Sequence, residues 1–196
     1  MFPMIEASAP AKTILLGEHA VVYGQPAIAV PVSDVRAFAR VEPNERGLRI
    51  ATADLDIPVD VDAESVDNAL ALTARLVLKQ LRAAPPNVTI HIRSDIPIAS
   101  GLGSGAAVST ALARALCDTV GQRLDTVSLN NLIYEVEKIH HGTPSGIDNT
   151  VIVYERPVYF MRGQPIEPLI IGKPFMLLIG DTGKSASTRA ALSNWS

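Results

Sequence analysis

Four short stretches of an otherwise apolar chain carry side chains able to handle phosphate, a metal ion or a proton. The first is APAKTILLGEHAVVYGQPAIA, residues 9–29, in which Lys12 enters a predicted buried strand and Glu18 and His19 follow Gly17. A lysine that opens a buried strand can point into a cleft, as can a Glu-His pair just past its end. The same residues also suit a strand, a solvated loop and a second strand. The second stretch is DIPIASGLGSGAAVSTALARAL, residues 95–116, where Gly101, Gly103 and Gly105 alternate with Leu102 and Ser104. From Ala106 onward it reads as a helix, with Ser104 placed to cap it. The first turn of a helix has N–H groups with no intrahelical partner. Those donors and the helix dipole favour an anion, and glycines let the backbone come close to it. A strand-to-helix corner built for close packing uses the same residues.

The third stretch is YEVEKIHHGTPSGIDNT, residues 134–150. Glu137 lies one turn before a predicted helix end, and Asp148 follows a Gly-Thr-Pro-Ser-Gly loop. Carboxylates beside a metal–phosphate site bind Mg²⁺ or accept a proton; a solvated helix face and a loop would also present them. The pair His140 and His141 invites a zinc reading. However, the helical neighbour of His141 is Glu137 and no cysteine cluster completes a site, so both histidines read as complements to a helix C-terminus. The fourth stretch is GDTGKSASTR, residues 180–189. Its hydroxyls and positive charges, Thr188 among them, can hold a polar substrate or form a loop and N-cap. Within it IGDTGKS imitates a phosphate loop of the G-x-x-x-x-G-K-[ST] type, but the position five before Gly183 is Leu178, and the spacing fails.

The elements that must position these groups follow from periodicity. Residues 12–17, 27–43, a segment from Gly47 and residues 88–94 read as strands, with Val35, Ala37 and Ala39 alternating in the second and Val88, Ile90 and Ile92 in the last. Residues 63–84 read as a helix stopped by Pro85, and residues 128–142 as a helix with a Ser128 cap and a glycine stop. The stretches DNTVIVYE, PVYFMRG, EPLIIG and PFMLLIGDTG read as strands, the last as a central buried one. A final helix is predicted from about Ser187. This mixture lacks regular βαβ alternation and predicts an α+β fold.

Composition sets the outer bounds. The chain has 196 residues, 47% hydrophobic and 19% charged, with a net charge of −3. No basic stripe favours a nucleic-acid partner. No apolar run reaches the roughly 18 residues of a membrane span. The single cysteine, Cys117, falls on a predicted helix among alanines and leucines, as inert packing. One cysteine allows no internal disulfide framework and suits a reducing, cytoplasmic setting.

The four stretches, taken in order, resemble the GHMP kinase superfamily and within it the mevalonate kinases. APAKTILLGEHAVVYGQPAIAVPV resembles their first signature and PIASGLGSGAAVSTA the phosphate-binding motif P-x-x-x-G-L-G-S-S-A. EKIHHGTPSGIDN resembles the segment bearing the metal-binding glutamate and catalytic aspartate, and DTGKSASTR a substrate-holding stretch. The resemblance implies a ribosomal protein S5 domain 2-like sheet with helices on one face. It implies ATP- and Mg²⁺-dependent phosphorylation of mevalonate in isoprenoid biosynthesis, in the cytoplasm, with homodimerisation open. By that resemblance Asp148 takes the hydroxyl proton and Lys12 stands beside it, stabilising charge. Gly101, Leu102, Gly103, Ser104, Gly105 and Ala106 wrap the ATP phosphates, Glu137 and Ser104 meet Mg²⁺, and Glu18, His19 and Thr188 line the substrate side. Gly105 replaces the family's second serine, itself a Mg²⁺ ligand. The implied domains are residues 1–165, ATP-binding and catalytic, and 166–196, the start of a C-terminal domain otherwise absent or truncated, since the family's third glycine-rich motif has no counterpart here. Another small-molecule kinase of the superfamily, such as a phosphomevalonate kinase, and a non-catalytic nucleotide-binding fragment are the alternatives.

Overall fold

The computed structural model describes residues 4–52, 58–63, 68–98, 100–141, 144–173 and 175–180, the side chains of residues 140 and 141 excepted. The predicted helix near Ser187 and most of the fourth polar stretch, Thr188 included, lie outside the described residues.

Among the described residues seven strands form one mixed sheet: β1 (Ile5–Leu16), β2 (Ala27–Pro43), β3 (Leu48–Thr52), β4 (Val59–Asp60), β5 (Val88–Ser94), β6 (Val158–Phe160) and β7 (Glu167–Pro168). β2 is the spine. It pairs antiparallel with β1 along its length, with β5 at its C-terminal end and with β6 at its N-terminal end. β3 lies parallel to β5 and antiparallel to the short β4. A register shift opposite Pro10 and Ala11 skips Ser33, Asp34 and Val35 of β2, so the two long strands bend there. Among the described residues four α-helices accompany the sheet: α1 (Ala69–Leu81), α2 (Ser104–Thr119), α3 (Thr126–His141) and α4 (Ile147–Tyr154).

Side-chain size explains the layering. Ala9 and Ala11 of β1 and Ala37 and Ala39 of β2 are fully buried, as are Ala106, Ala107, Ala111 and Ala115 of α2. Small residues on both surfaces let α2 lie close to the strands, and α1 and α3 join it over one core. The other face of this part of the sheet is polar: Arg40, His91 and Arg93 are exposed, and Arg93 stacks 4.3 Å over the Phe38 ring. That two-layer arrangement is the expected α+β class with helices on one face. A second core gathers Val21, Ala27, Ala29, Ile147, Val151, Val158 and Phe160 around α4 and β6.

Several expected elements take another form. Residues 147–154 are helical, not the expected strand. α4 sits between both cores, with Ile147 and Val151 in one and Ile152 and Val153 in the other. A helix buried on two sides is apolar almost throughout, and periodicity alone does not separate it from a strand. Residues 175–180, expected as a central buried strand, have no regular structure. Phe175, Leu177 and Ile179 are half-exposed beside Pro31 and Val32, while Met176 and Leu178 stand 95% and 99% exposed. An apolar run pairs only where a strand edge meets it, and no described strand does. The strand expected at residues 167–172 is reduced to two residues. α3 begins at Thr126, and its cap is Asp125, not Ser128: the Asp125 carboxylate accepts from the Ser128 backbone N–H at 2.9 Å and the Ser128 hydroxyl at 2.7 Å. These bonds hold the Asp125 carboxyl below its usual range.

Candidate active site

β1 carries Lys12 into the sheet, where 4% of the residue is exposed. Its backbone N–H donates to the Leu102 carbonyl at 3.0 Å, which stitches the glycine-rich turn to β1. Its Nζ lies 2.9 Å from Asp148 Oδ1. The lysine side chain is 5% exposed and the aspartate 32%, so the pair is sealed at its cationic end and open at its anionic end. Asp148 stands in the first turn of α4, behind the left-handed N-cap Gly146.

The glycine-rich turn closes over this pair. Gly103, and not Ser104, is the N-cap of α2, with φ +76°. A Cβ at Gly103 would lie 2.8 Å from Ile152 Cδ1 and 3.1 Å from Lys12 Cγ. The turn therefore rests on the lysine stem as closely as a backbone can. No side chain caps α2, and its first turn holds no acidic residue. Its N-terminal N–H groups thus suit an anion. Gly105, exposed in that first turn, would bring a Cβ within 3.3 Å of Glu137 Oε1. Glu137 reaches this point from α3 and is 4% exposed. Burial pushes its carboxyl up from 4.5 to about 7; the nearby Asp148 charge adds to the rise and Lys12 opposes it.

Lys12, Gly103, Gly105, Glu137 and Asp148, far apart in sequence, are thus brought together. Glu18 and His19 lie in the exposed turn after β1. Among the described residues neither side chain is hydrogen-bonded or ion-paired to Lys12 or Asp148. His19 N-caps the 3-10 turn Ala20–Tyr23 with φ 64°, a strained value for a residue with a side chain. That turn is forced by Gly17, where a Cβ would meet the Pro26 carbonyl at 2.3 Å.

The sequence reasoning missed the supports of α4. At its C-terminal end the Arg114 guanidinium, on α2, donates to the Val153 carbonyl at 3.1 Å and to the Ser8 carbonyl of β1 at 2.8 Å. Arg114 and Arg36 both pair with the Glu155 carboxylate, and Glu155 itself is the left-handed C-cap of α4. At the N-terminal end Asn149 Nδ2 donates to Asn130 Oδ1 of α3 at 2.7 Å. Polar residues inside an apolar helix, as Asn149 and Thr150 are, were the available signal.

A polyphosphate with a divalent cation fits this donor set. The turn leaves room for no side chain at Gly103, the α2 N-terminus offers uncapped donors, and one buried carboxylate stands beside them. Mg²⁺ characteristically takes one or two protein carboxylates together with substrate phosphates and water.

Residues 68–156 match the family model described as GHMP kinases N terminal domain. That span includes the glycine-rich turn, Glu137 and Asp148. A mevalonate kinase of Thermococcus sibiricus is 37% identical over 93% of this chain and 59% of its own length. A crystal structure of the Methanococcus jannaschii mevalonate kinase superposes with a TM-score of 0.76 at 25% identity, covering 86% of this chain and 56% of that one. The L. major mevalonate kinase, solved in complex with R-mevalonate, gives a TM-score of 0.63 at 26% identity over 86% and 52% of the two chains. The chain thus spans about 59% of the length of the curated relatives it matches. No described helix is long and apolar enough to cross a membrane.

Proposed function

We propose that this chain, which carries a GHMP kinase N-terminal domain, is the nucleotide-binding and catalytic part of a mevalonate kinase, transferring phosphate from ATP to the 5-hydroxyl of mevalonate. The observation that carries the reading is the Lys12–Asp148 ion pair lying directly against the glycine-rich turn. Phosphoryl transfer asks the protein for positioning and charge neutralisation more than covalent chemistry. A phosphate cradle, a metal-holding carboxylate and one proton acceptor meet that demand.

When bound, ATP with Mg²⁺ supplies the phosphoryl group and neutralises its charge. Residues 101–106 would hold the phosphates through backbone N–H groups, and Glu137, with Ser104, would hold the metal. Asp148, open to solvent on its carboxylate side, receives the proton of the substrate hydroxyl. Lys12 keeps that carboxylate oriented through Oδ1 and places positive charge beside the reacting oxygens. Glu18 and His19 would line the substrate side. The same reading divides the chain into a catalytic domain over residues 1–165 and the beginning of a second over 166–196. It places the enzyme in the cytoplasm, in isoprenoid biosynthesis, with a second copy as its candidate partner.

The test is a coupled ADP-release assay with mevalonate, phosphomevalonate, homoserine and galactose. Release dependent on mevalonate is expected. Release with phosphomevalonate instead would reassign the substrate within the superfamily. Nucleotide binding with no release from any acceptor would make this chain a binding fragment.

A further inference from the structure

We propose that Asn149 is a positioning residue whose amide, clasped by Asn130, fixes the rotation of α4 and thereby aims Asp148 at Lys12. The proposal rests on the phosphoryl-transfer reading given above. α4 has only eight residues and no side-chain cap at its N-terminus, so its orientation is dictated by what it packs against and not by its own stability. Successive helical residues are about 100° apart. A rotation of one residue would therefore carry Asp148 away from the lysine.

The contacts that resist such rotation are polar and sealed. Asn130, Asn149 and Thr150 are 8%, 2% and 1% exposed. Asn149 Nδ2 donates to Asn130 Oδ1 at 2.7 Å and to the Asn130 carbonyl at 3.3 Å. Asn130 Nδ2 donates to Thr150 Oγ1 at 3.4 Å, and that hydroxyl donates to the Gly146 carbonyl at 2.6 Å. The clasp thus reaches the residue that caps α4. Asn130 and Glu137 are seven apart on α3, two helical turns, and so lie on one face. One face of α3 holds α4 in place and presents the buried carboxylate to the same site.

Stability alone does not account for the amides. A buried amide costs free energy unless its groups are hydrogen-bonded. Asn149 Oδ1 is buried without a hydrogen-bond partner. Aliphatic side chains would fill such a contact without that cost, but would supply no directional bond at this end of the helix, the Arg114–Val153 bond lying at the other. Directional bonds fix an azimuth, and the residue next to Asn149 is the one whose azimuth matters.

The experiment compares Asn149→Ala, Asn130→Ala and their double variant, with Asp148→Asn as reference. Each single change is expected to lower kcat at least about tenfold, since ångström-scale misplacement costs up to about 10²-fold. KM for ATP and nucleotide affinity should stay within about twofold, and the double variant should be no worse than the more damaged single one. In crystals of either variant the Lys12–Asp148 pair should open beyond about 4 Å, the limit of an ion pair. If Asn149→Ala does not fold, Asn130→Ala carries the test, because it removes the shorter, side-chain acceptor and the bond to Thr150 while leaving Asn149 and the residue 130 carbonyl in place. Folded variants with lowered unfolding midpoints, kcat within twofold and the pair still closed would overturn the proposal. If Asp148→Asn itself leaves kcat intact, the phosphoryl-transfer reading fails instead, and the ion-pair distance alone then decides on the clasp.

Discussion

Glu137→Gln tests the electrostatics of the site without any ligand. Burial holds the Glu137 carboxyl protonated up to about pH 7 in the folded protein, against 4.5 as the ordinary value. Below pH 4.5 both folded and unfolded states carry the proton and stability is greatest. Between 4.5 and 7 the unfolded state has released it while the folded state still binds it, so stability falls as pH rises. Each pH unit in that window costs about 1.4 kcal/mol, which sums to about 3 kcal/mol. Above 7 the loss is complete and the curve levels. Glutamine has the same shape and no proton to release. Urea unfolding of both proteins at pH 4, 5, 6, 7 and 8 gives the difference in stability, in which every other titrating group largely cancels. That difference should move by about 3 kcal/mol in favour of Gln between pH 4 and pH 8. Mg²⁺ with nucleotide should flatten the wild-type slope, since a cation favours the ionised carboxylate. A difference constant with pH would show that Glu137 ionises like an exposed glutamate, and the raised carboxyl attributed to its burial would have to be given up.

Three further outcomes are expected. Gly103→Ala meets both a left-handed backbone and the Ile152 and Lys12 contacts; it should cost at least about 1 kcal/mol in urea unfolding and weaken nucleotide binding, and a wild-type titration would remove the cradle role. Arg114→Ala strips the Val153 and Ser8 carbonyls and the Glu155 carboxylate of one shared donor; a loss of about 1–2 kcal/mol is expected, discounted for partial exposure, and a change below about 0.5 kcal/mol would make the fork ornamental. Asp148→Asn keeps size and loses the proton acceptor, so kcat and kcat/KM should fall together by about 10²–10⁴-fold; a defect confined to KM would make Asp148 a binding residue.

What the sequence disclosed, and what it withheld, follows from the range of the interactions. The glycine-rich turn, the strands at residues 27–43 and 88–94 and the helix following Gly103 are local patterns, legible from period and punctuation. So were Lys12, Glu137 and Asp148, because charged side chains stand out in an apolar chain. The conformation of residues 147–154 was not legible, since its apolar run records burial on two sides and burial does not encode period. Nor was the exposure of residues 175–180, which depends on whether a strand edge lies beside them. The sharpest case is Gly105. In the sequence it is a missing hydroxyl; in the structure it is the point where a Cβ on α2 would lie 3.3 Å from Glu137 Oε1. A serine there would have to share that space with the carboxylate, which has already lost most of its water. Glycine avoids that contact, so the α2 N-terminus and Glu137 approach each other with no Gly105 side chain between them. The missing hydroxyl at Gly105 and the burial of Glu137 are therefore one arrangement: a turn that carries no side chain at that point leaves the carboxylate uncrowded.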